Sequence, residues 1–178
     1  MHQDIKEEIE IPTNVDAKIE GSILSIKGPN GEMKKRIMLK ISHEGNKIII
    51  EKKNGTKRDK NMIKTNAALI RNMVKGALEG YDYSLQVCSV HFPMNVSATK
   101  DFVIVKNFLG ETKERKAVIL PNVKVEIKGD IVKVHSADKE AAGQTAANIE
   151  SATKVTNRDR RIFQDGIWMI EKAGKALE

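Results

Sequence analysis

The chain repeats itself, and that repeat limits what it can fold into more than any other feature. Ile23-Leu24-Ser25-Ile26-Lys27, with Gly31-Glu32, Lys34 and Arg36 after it, is answered 79 residues later by Phe102-Val103-Ile104-Val105-Lys106, with Gly110-Glu111, Lys113 and Arg115. Asn46-Lys47-Ile48-Ile49-Ile50 matches Gly129-Asp130-Ile131-Val132-Lys133 at a spacing of 83, and Ala67-Ala68-Leu69-Ile70 matches Ala146-Ala147-Asn148-Ile149 at 79 again. An offset that widens and then returns means that loops changed length between matched elements. The pattern is that of a tandem duplication.

Each copy reads as strand, turn, strand, turn, strand, helix. Val15, Ala17 and Ile19 alternate, as do Leu24 and Ile26, which is the period of a half-buried strand. Gly28-Pro29-Asn30-Gly31 has turn composition, and a hairpin turn suits its Gly-x-x-Gly spacing better than a backbone clamp on RNA. Lys47–Glu51 is a short apolar strand after the turn residues Glu44-Gly45-Asn46. The first helix is expected to start at a Thr65 cap, to bury Ala67, Ile70, Val74 and Ala77, and to stop at Gly80. In the second copy Ser136 or Asp138 caps a stripe of Ala142, Ala146, Ile149 and Ala152, ending near Thr153. Strands followed by one helix in each half predict an α+β fold of two tandem, duplicated small domains, residues 1–81 and 82–178. Each is expected to be an antiparallel sheet covered by a helix on one face.

All seven aromatic residues lie at or after Tyr81, so the first copy must build its core from aliphatic and methionine side chains and offers no base-stacking sheet. With 40% hydrophobic and 31% charged residues the chain is an ordinary folded protein, not a disordered one. Its net charge of +7 favours an acidic partner. The single cysteine, Cys88, excludes an internal disulfide and a multi-cysteine zinc site, and its apolar surroundings predict a small core residue. No apolar run approaches the ~18 residues of a membrane span, and the first ten residues are not a signal sequence. A reducing, cytoplasmic location is expected. Phosphate-cradling loops, paired histidines and serine elbows are all missing. The scattered His2, His43, His91 and His135 read as surface or half-buried residues, so no enzyme, cofactor, metal or small-molecule substrate is expected.

Two basic segments remain. Residues 51–61 read as a loop before the first helix, in which Lys52, Lys53, Lys57, Arg58 and Lys60 outnumber Glu51 and Asp59. Lacking an aromatic, it suits phosphates and not bases. Arg71 and Lys75 follow on one side of the helix. In the closing segment Lys154, Arg158, Arg160, Arg161, Lys172 and Lys175 surround Phe163 and Trp168. Guanidinium groups fork onto phosphates and stack on rings, the equipment that recognition of structured RNA uses. Arg158, Arg160 and Arg161 are expected on irregular chain after the second helix, with Asp159 and Asp165 pairing to one or two of them. A strand over residues 166–170 closes the second sheet and carries Trp168 in its core. A tandem-domain protein–protein adapter with a basic tail is the alternative class, to which the acidic start (Asp4, Glu7, Glu8, Glu10) is suited.

The strings HFPMNV (residues 91–96), KEAAGQTAANIESATKV (139–155) and NRDRRIFQDGIWM (157–169) resemble the universal large-subunit ribosomal protein L-six family, in its archaeal and eukaryotic branch, whose eukaryotic counterpart is called L-nine. The likeness covers essentially the whole chain. One departure is Trp168, where many relatives have tyrosine. The resemblance implies a structural, non-enzymatic protein that binds large-subunit ribosomal RNA near the sarcin–ricin region and the stalk base. It implies neighbouring large-subunit ribosomal proteins as further partners, and a cytoplasmic, ribosome-bound location.

Overall fold

The computed structural model of the chain describes residues 3–37, 39 and 41–177, with the side chains of all of these but Gln3 and Glu44. His2 lies outside the described residues. Two compact units form, Met1–Gly80 and Tyr81–Glu178. Tyr81 is buried in the core of the second unit, which draws the division one residue ahead of the sequence-based boundary.

The first unit runs β1 (Gln3–Glu10), β2 (Asp16–Glu20), β3 (Ile23–Gly28), β4 (Gly31–Arg36), β5 (Ile41–Glu44), β6 (Lys47–Gly55) and α1 (Lys57–Glu79). Its strands form two antiparallel sheets, ordered β1-β6-β5 and β2-β3-β4, instead of one. Helix α1 packs against β1 and β6 of one sheet and β3 and β4 of the other, so both share one core. Leu24, Ile26, Ile48, Ile50, Ile63, Ala67 and Ile70 are fully buried there.

Two elements depart from the sequence reading. The acidic start is strand β1: Ile5 and Ile9 face inward, and Glu7, on the same side of the strand, reaches Arg71 of α1 at 3.0 Å. Helix α1 begins at Thr56 and not at Thr65. Thr56 Oγ1 accepts from the Asp59 amide while the Asp59 carboxylate accepts from the Thr56 amide, a complete capping box. Thr65 lies inside the helix and donates its hydroxyl to the Asn61 carbonyl. Residues 51–61 are therefore the end of β6 and the first turns of α1, joined at Thr56, and not a loop. The Gly28–Gly31 hairpin closes the other end of the helix: Asn30 donates to the carbonyls of Ala77 and Leu78. A Cβ on Gly28 would lie 2.6 Å from the Ala77 oxygen, which is why glycine stands there.

The second unit runs β7 (Tyr81–Cys88), β8 (Asn95–Ala98), β9 (Phe102–Lys106), a short 3-10 turn (Phe108–Gly110), β10 (Arg115–Val118), β11 (Lys124–Lys128), β12 (Ile131–Ser136), α2 (Lys139–Ala152), β13 (Gly166–Lys172) and β14 (Lys175–Ala176). Its sheets are ordered β10-β9-β8 and β11-β12-β7-β13-β14. Set beside the first unit, β7-β12-β11 repeats β1-β6-β5 and β8-β9-β10 repeats β2-β3-β4. The duplication read from sequence is thus a duplication of topology. Asp138 caps α2 by accepting from the Glu140 amide, and Ser136 in turn accepts from the Asp138 amide. Ala142, Ala146 and Ile149 of the expected stripe are buried, and Tyr81, Tyr83 and Phe108 bring aromatic rings to this core.

Candidate nucleic-acid interface

The second unit carries something the first lacks. After α2 the chain buries Val155 in the core, runs out over the surface from residue 156 to 164, and returns as β13, which pairs antiparallel with β7. Both ends of that excursion are pinned. Thr153, 2% exposed, donates its hydroxyl to the Glu150 carbonyl and accepts from the Ile167 amide at 2.9 Å, closing the base of the loop. Asp165, 0% exposed, ties the far end to the connection between β7 and β8. Its Oδ1 accepts from the amides of Val90 (2.7 Å) and His91 (2.9 Å), and its Oδ2 lies 2.6 Å from His91 Nδ1.

Burial by itself raises the Asp165 pKa, but the amide and ring hydrogen bonds from His91 and the Val90 amide outweigh it, and the pKa is lowered from the ordinary aspartate value. Against an ionised carboxylate at that distance, His91 Nδ1 carries the proton. The expected pairing of Asp165 with an arginine is therefore corrected: amides in a neighbouring connection satisfy it instead.

Within the loop the arginines are set on a tight turn. Asn157 takes a left-handed backbone (φ 58°), which asparagine tolerates. The Asp159 carbonyl accepts from the amides of Ile162 and Phe163, and its carboxylate accepts from the amide and guanidinium of Arg161. Those side-chain bonds, with the Arg161 amide next, lower the Asp159 pKa. Arg161 stays 90% exposed, so the pair orients the guanidinium without sequestering it.

The aromatic residues back this turn and do not lie idle in the core. Phe163 stacks on His91 with centroids 5.0 Å apart, and the Arg158 guanidinium sits 4.8 Å from the same ring. Arg160 lies 5.6 Å from the Trp168 ring, whose Nε1 donates to the Gln164 carbonyl. Trp168 is half-buried where a core position was expected, because it stands on the face of β13 opposite to the buried Ile167. An open groove of about 580 Å³ runs between the rings, lined by Arg160, Arg161, Phe163, Gln164 and Trp168 together with Val90 and Cys88. Cys88 is thus half-exposed at the end of β7, not a core residue. Lys154 lines a second, smaller groove on the other side of Arg160 and Trp168.

Two of the expected lysines are elsewhere. Lys172 and Lys175 pair across the β13–β14 hairpin, at the end of β13 opposite to Gly166 and roughly 20 Å from that residue by strand rise. The remaining candidates belong to the first unit. Lys52, Lys53, Lys57, Arg58 and Lys60 are exposed on the end of β6 and the start of α1. Lys52 is held by Asp59 at 2.6 Å, which, with the Thr56 bonds, keeps the Asp59 carboxyl well below the usual range. Lys57 and Lys60 line a shallow groove with Lys64 and the acidic Asp4 and Glu7. Cations in the first turn oppose the helix dipole, so folding alone does not explain them.

Sequence reasoning missed Thr153, His91 and Asp165 as loop anchors, and Arg115 as a structural arginine. Arg115 pairs with Glu111, donates to the Ala152 carbonyl at the end of α2, and lies 4.2 Å from the Phe108 ring. Among the described residues no group of histidine, cysteine and acidic side chains is placed to hold a metal ion, and no helix is long and apolar enough to cross a membrane.

These features define a class: a duplicated α+β protein whose second half bears a pinned, arginine-rich turn backed by aromatic rings. The family model described as ribosomal protein L6 matches both halves, over residues 11–80 and 92–166, and the chain belongs to that family. It is similar to the large ribosomal subunit protein uL6 of Methanobrevibacter smithii, with 43% identity over 94% of this chain and 96% of that protein. It is likewise similar to the uL6 of Methanococcus vannielii, with 44% identity over 97% of each.

Proposed function

We propose that this protein is a structural constituent of the large ribosomal subunit, held there by large-subunit ribosomal RNA near the sarcin–ricin region and the stalk base. Its role is to support translation as a non-enzymatic part of a cytoplasmic ribosome, with neighbouring large-subunit proteins as further partners. Membership of the L6 family supports the assignment. The observation that carries the contact to this chain's own residues is the turn of residues 157–165. Three exposed arginines are held there by Asp159, Phe163 and Trp168, on a loop that Asp165 pins, before any partner arrives, which lowers the ordering cost of binding. Lys154 adds to this surface. Lys52, Lys53, Lys57, Arg58 and Lys60 form a second phosphate-binding surface on the first unit, and Lys172 and Lys175 a third, separate contact at the β13–β14 hairpin.

Phosphate neutralisation makes such binding salt-dependent. Six to ten contacts lose roughly 10³–10⁵ in affinity between about 50 and 200 mM salt, by analogy with duplex DNA. The test is a filter-binding titration against large-subunit ribosomal RNA across that range, with co-sedimentation on ribosomal particles. A steep salt slope and co-sedimentation are expected. A flat slope with no particle association would instead favour an adapter bound through apolar contacts.

A further inference from the structure

We infer that the groove between Phe163 and Trp168 receives one unstacked nucleobase of the bound RNA, with Arg160 and Arg161 on the adjoining phosphates. This rests on the proposed RNA-binding reading and goes beyond it, since a basic surface alone needs only phosphates. Four observations carry it. The groove, at about 580 Å³, falls within the range of small-ligand sites and is bounded by two aromatic rings. Tyr81, Tyr83 and Phe108 are buried and Phe92 and Phe102 are exposed away from the groove, whereas Phe163 and Trp168 are half-open within one groove lining.

Both rings are also fixed in place. Phe163 packs on His91 and Arg158 and serves as a fixed wall of the groove, leaving the stacking role to Trp168, whose indole is tied to the Gln164 carbonyl and lies beside Gly166, where a Cβ would approach it at 3.4 Å. Finally, the rim carries base-edge chemistry beside its positive charge. Gln164 donates one amide hydrogen to the Arg161 carbonyl, and its Oε1 accepts no hydrogen bond among the described residues, leaving it for a base amino group. A flat, apolar-faced, polar-edged ligand next to a phosphate is what this combination fits, and a nucleobase is that ligand.

The chain has a single tryptophan, so its emission reports on this groove alone. The experiment titrates the full-length protein with a short oligoadenylate and with an abasic ribose-phosphate strand of equal length and charge, reading affinity by anisotropy and Trp168 emission together. Oligoadenylate is expected to quench Trp168 and to bind roughly tenfold tighter than the abasic strand, the order of one base stacked on an aromatic ring. Trp168→Leu should bring that ratio close to one, and Trp168→Phe should keep most of it. Arg160→Gln, at an exposed position, should weaken both strands alike. Equal, salt-dependent affinity for the two strands with unchanged emission overturns the nucleobase site while leaving the RNA-binding reading intact. Failure of both strands and of ribosomal RNA to bind overturns that reading, and the site with it. Should Trp168→Leu lose its fold by circular dichroism, the comparison of strands on the unaltered protein still decides.

Discussion

The two units are one design carried out twice, and they differ where function is expected. In the first, β1 ends its sheet as an edge strand. In the second the matching strand, β7, is covered by β13, and the chain that leads to β13 is the arginine turn. The cores follow suit: aliphatic side chains and Met73 in the first, aromatic rings in the second. Burying apolar area suffices to hold a unit of this size together, so the first shows what the fold needs. What the second adds is a pair of anchors, Thr153 and Asp165, that hold an exposed charged segment still. The lesson is that the scaffold is present twice, and the pinned arginine turn in one copy.

The largest expected effect comes from removing an anchor. Asp165→Ala leaves the Val90 and His91 amides and the His91 ring N–H without their buried acceptor, and should destabilise the second unit by about 2 kcal/mol while leaving the first unchanged. Urea unfolding followed by Trp168 emission reads the second unit, and hydrogen exchange on α1 reads the first. Equal losses in both would break the comparison by showing the units to be one cooperative body. The same carboxylate predicts a pH dependence. Its folded pKa is lowered, so its contribution is present above the unfolded aspartate value and is lost as pH falls through the folded one. Asp165→Asn should flatten that acid limb.

A smaller effect sharpens the comparison from the other side. Thr56→Ala removes the capping box of α1 and should cost the first unit about 1 kcal/mol, with no change in Trp168 emission and little in RNA affinity. Hydrogen exchange of the first turns of α1 against those of α2 measures it. A matching loss in α2 would contradict independent units.

How much of this was legible in the sequence depends on how local each signal is. The repeat exposed the duplicated plan because Leu24, Ile26 and their counterparts Val103 and Val105 must alternate to reach their cores. The stripes of both helices were readable for the same reason. Strand β1 was hidden because Glu7 stands at an inward position and is satisfied by Arg71, far along the chain. The start of α1 was hidden because Lys57, Arg58 and Lys60 run against the helix dipole, and the Thr56–Asp59 cap was read as part of a basic loop. The arginine turn itself was visible as composition, but its anchors were not. His91 and Asp165 are 74 positions apart, and no spacing rule joins them. Lys172 and Lys175, near in sequence, stand at the end of β13 opposite to the one the turn leads into.

The central claim is that RNA affinity resides mainly in the turn after α2 and only secondarily in the basic surface of the first unit. It is tested most directly by two multiple variants measured side by side: Arg158→Ala, Arg160→Ala and Arg161→Ala together, and Lys52, Lys53, Lys57, Arg58 and Lys60 all changed to Gln. Thermal melts and filter-binding titrations with large-subunit ribosomal RNA are run on both. The account predicts that the arginine variant melts close to the unaltered protein and loses most of its affinity, and that the five-residue variant loses distinctly less. An arginine variant that is strongly destabilised yet binds RNA normally would contradict it, since the turn would then be an internal latch of the second unit.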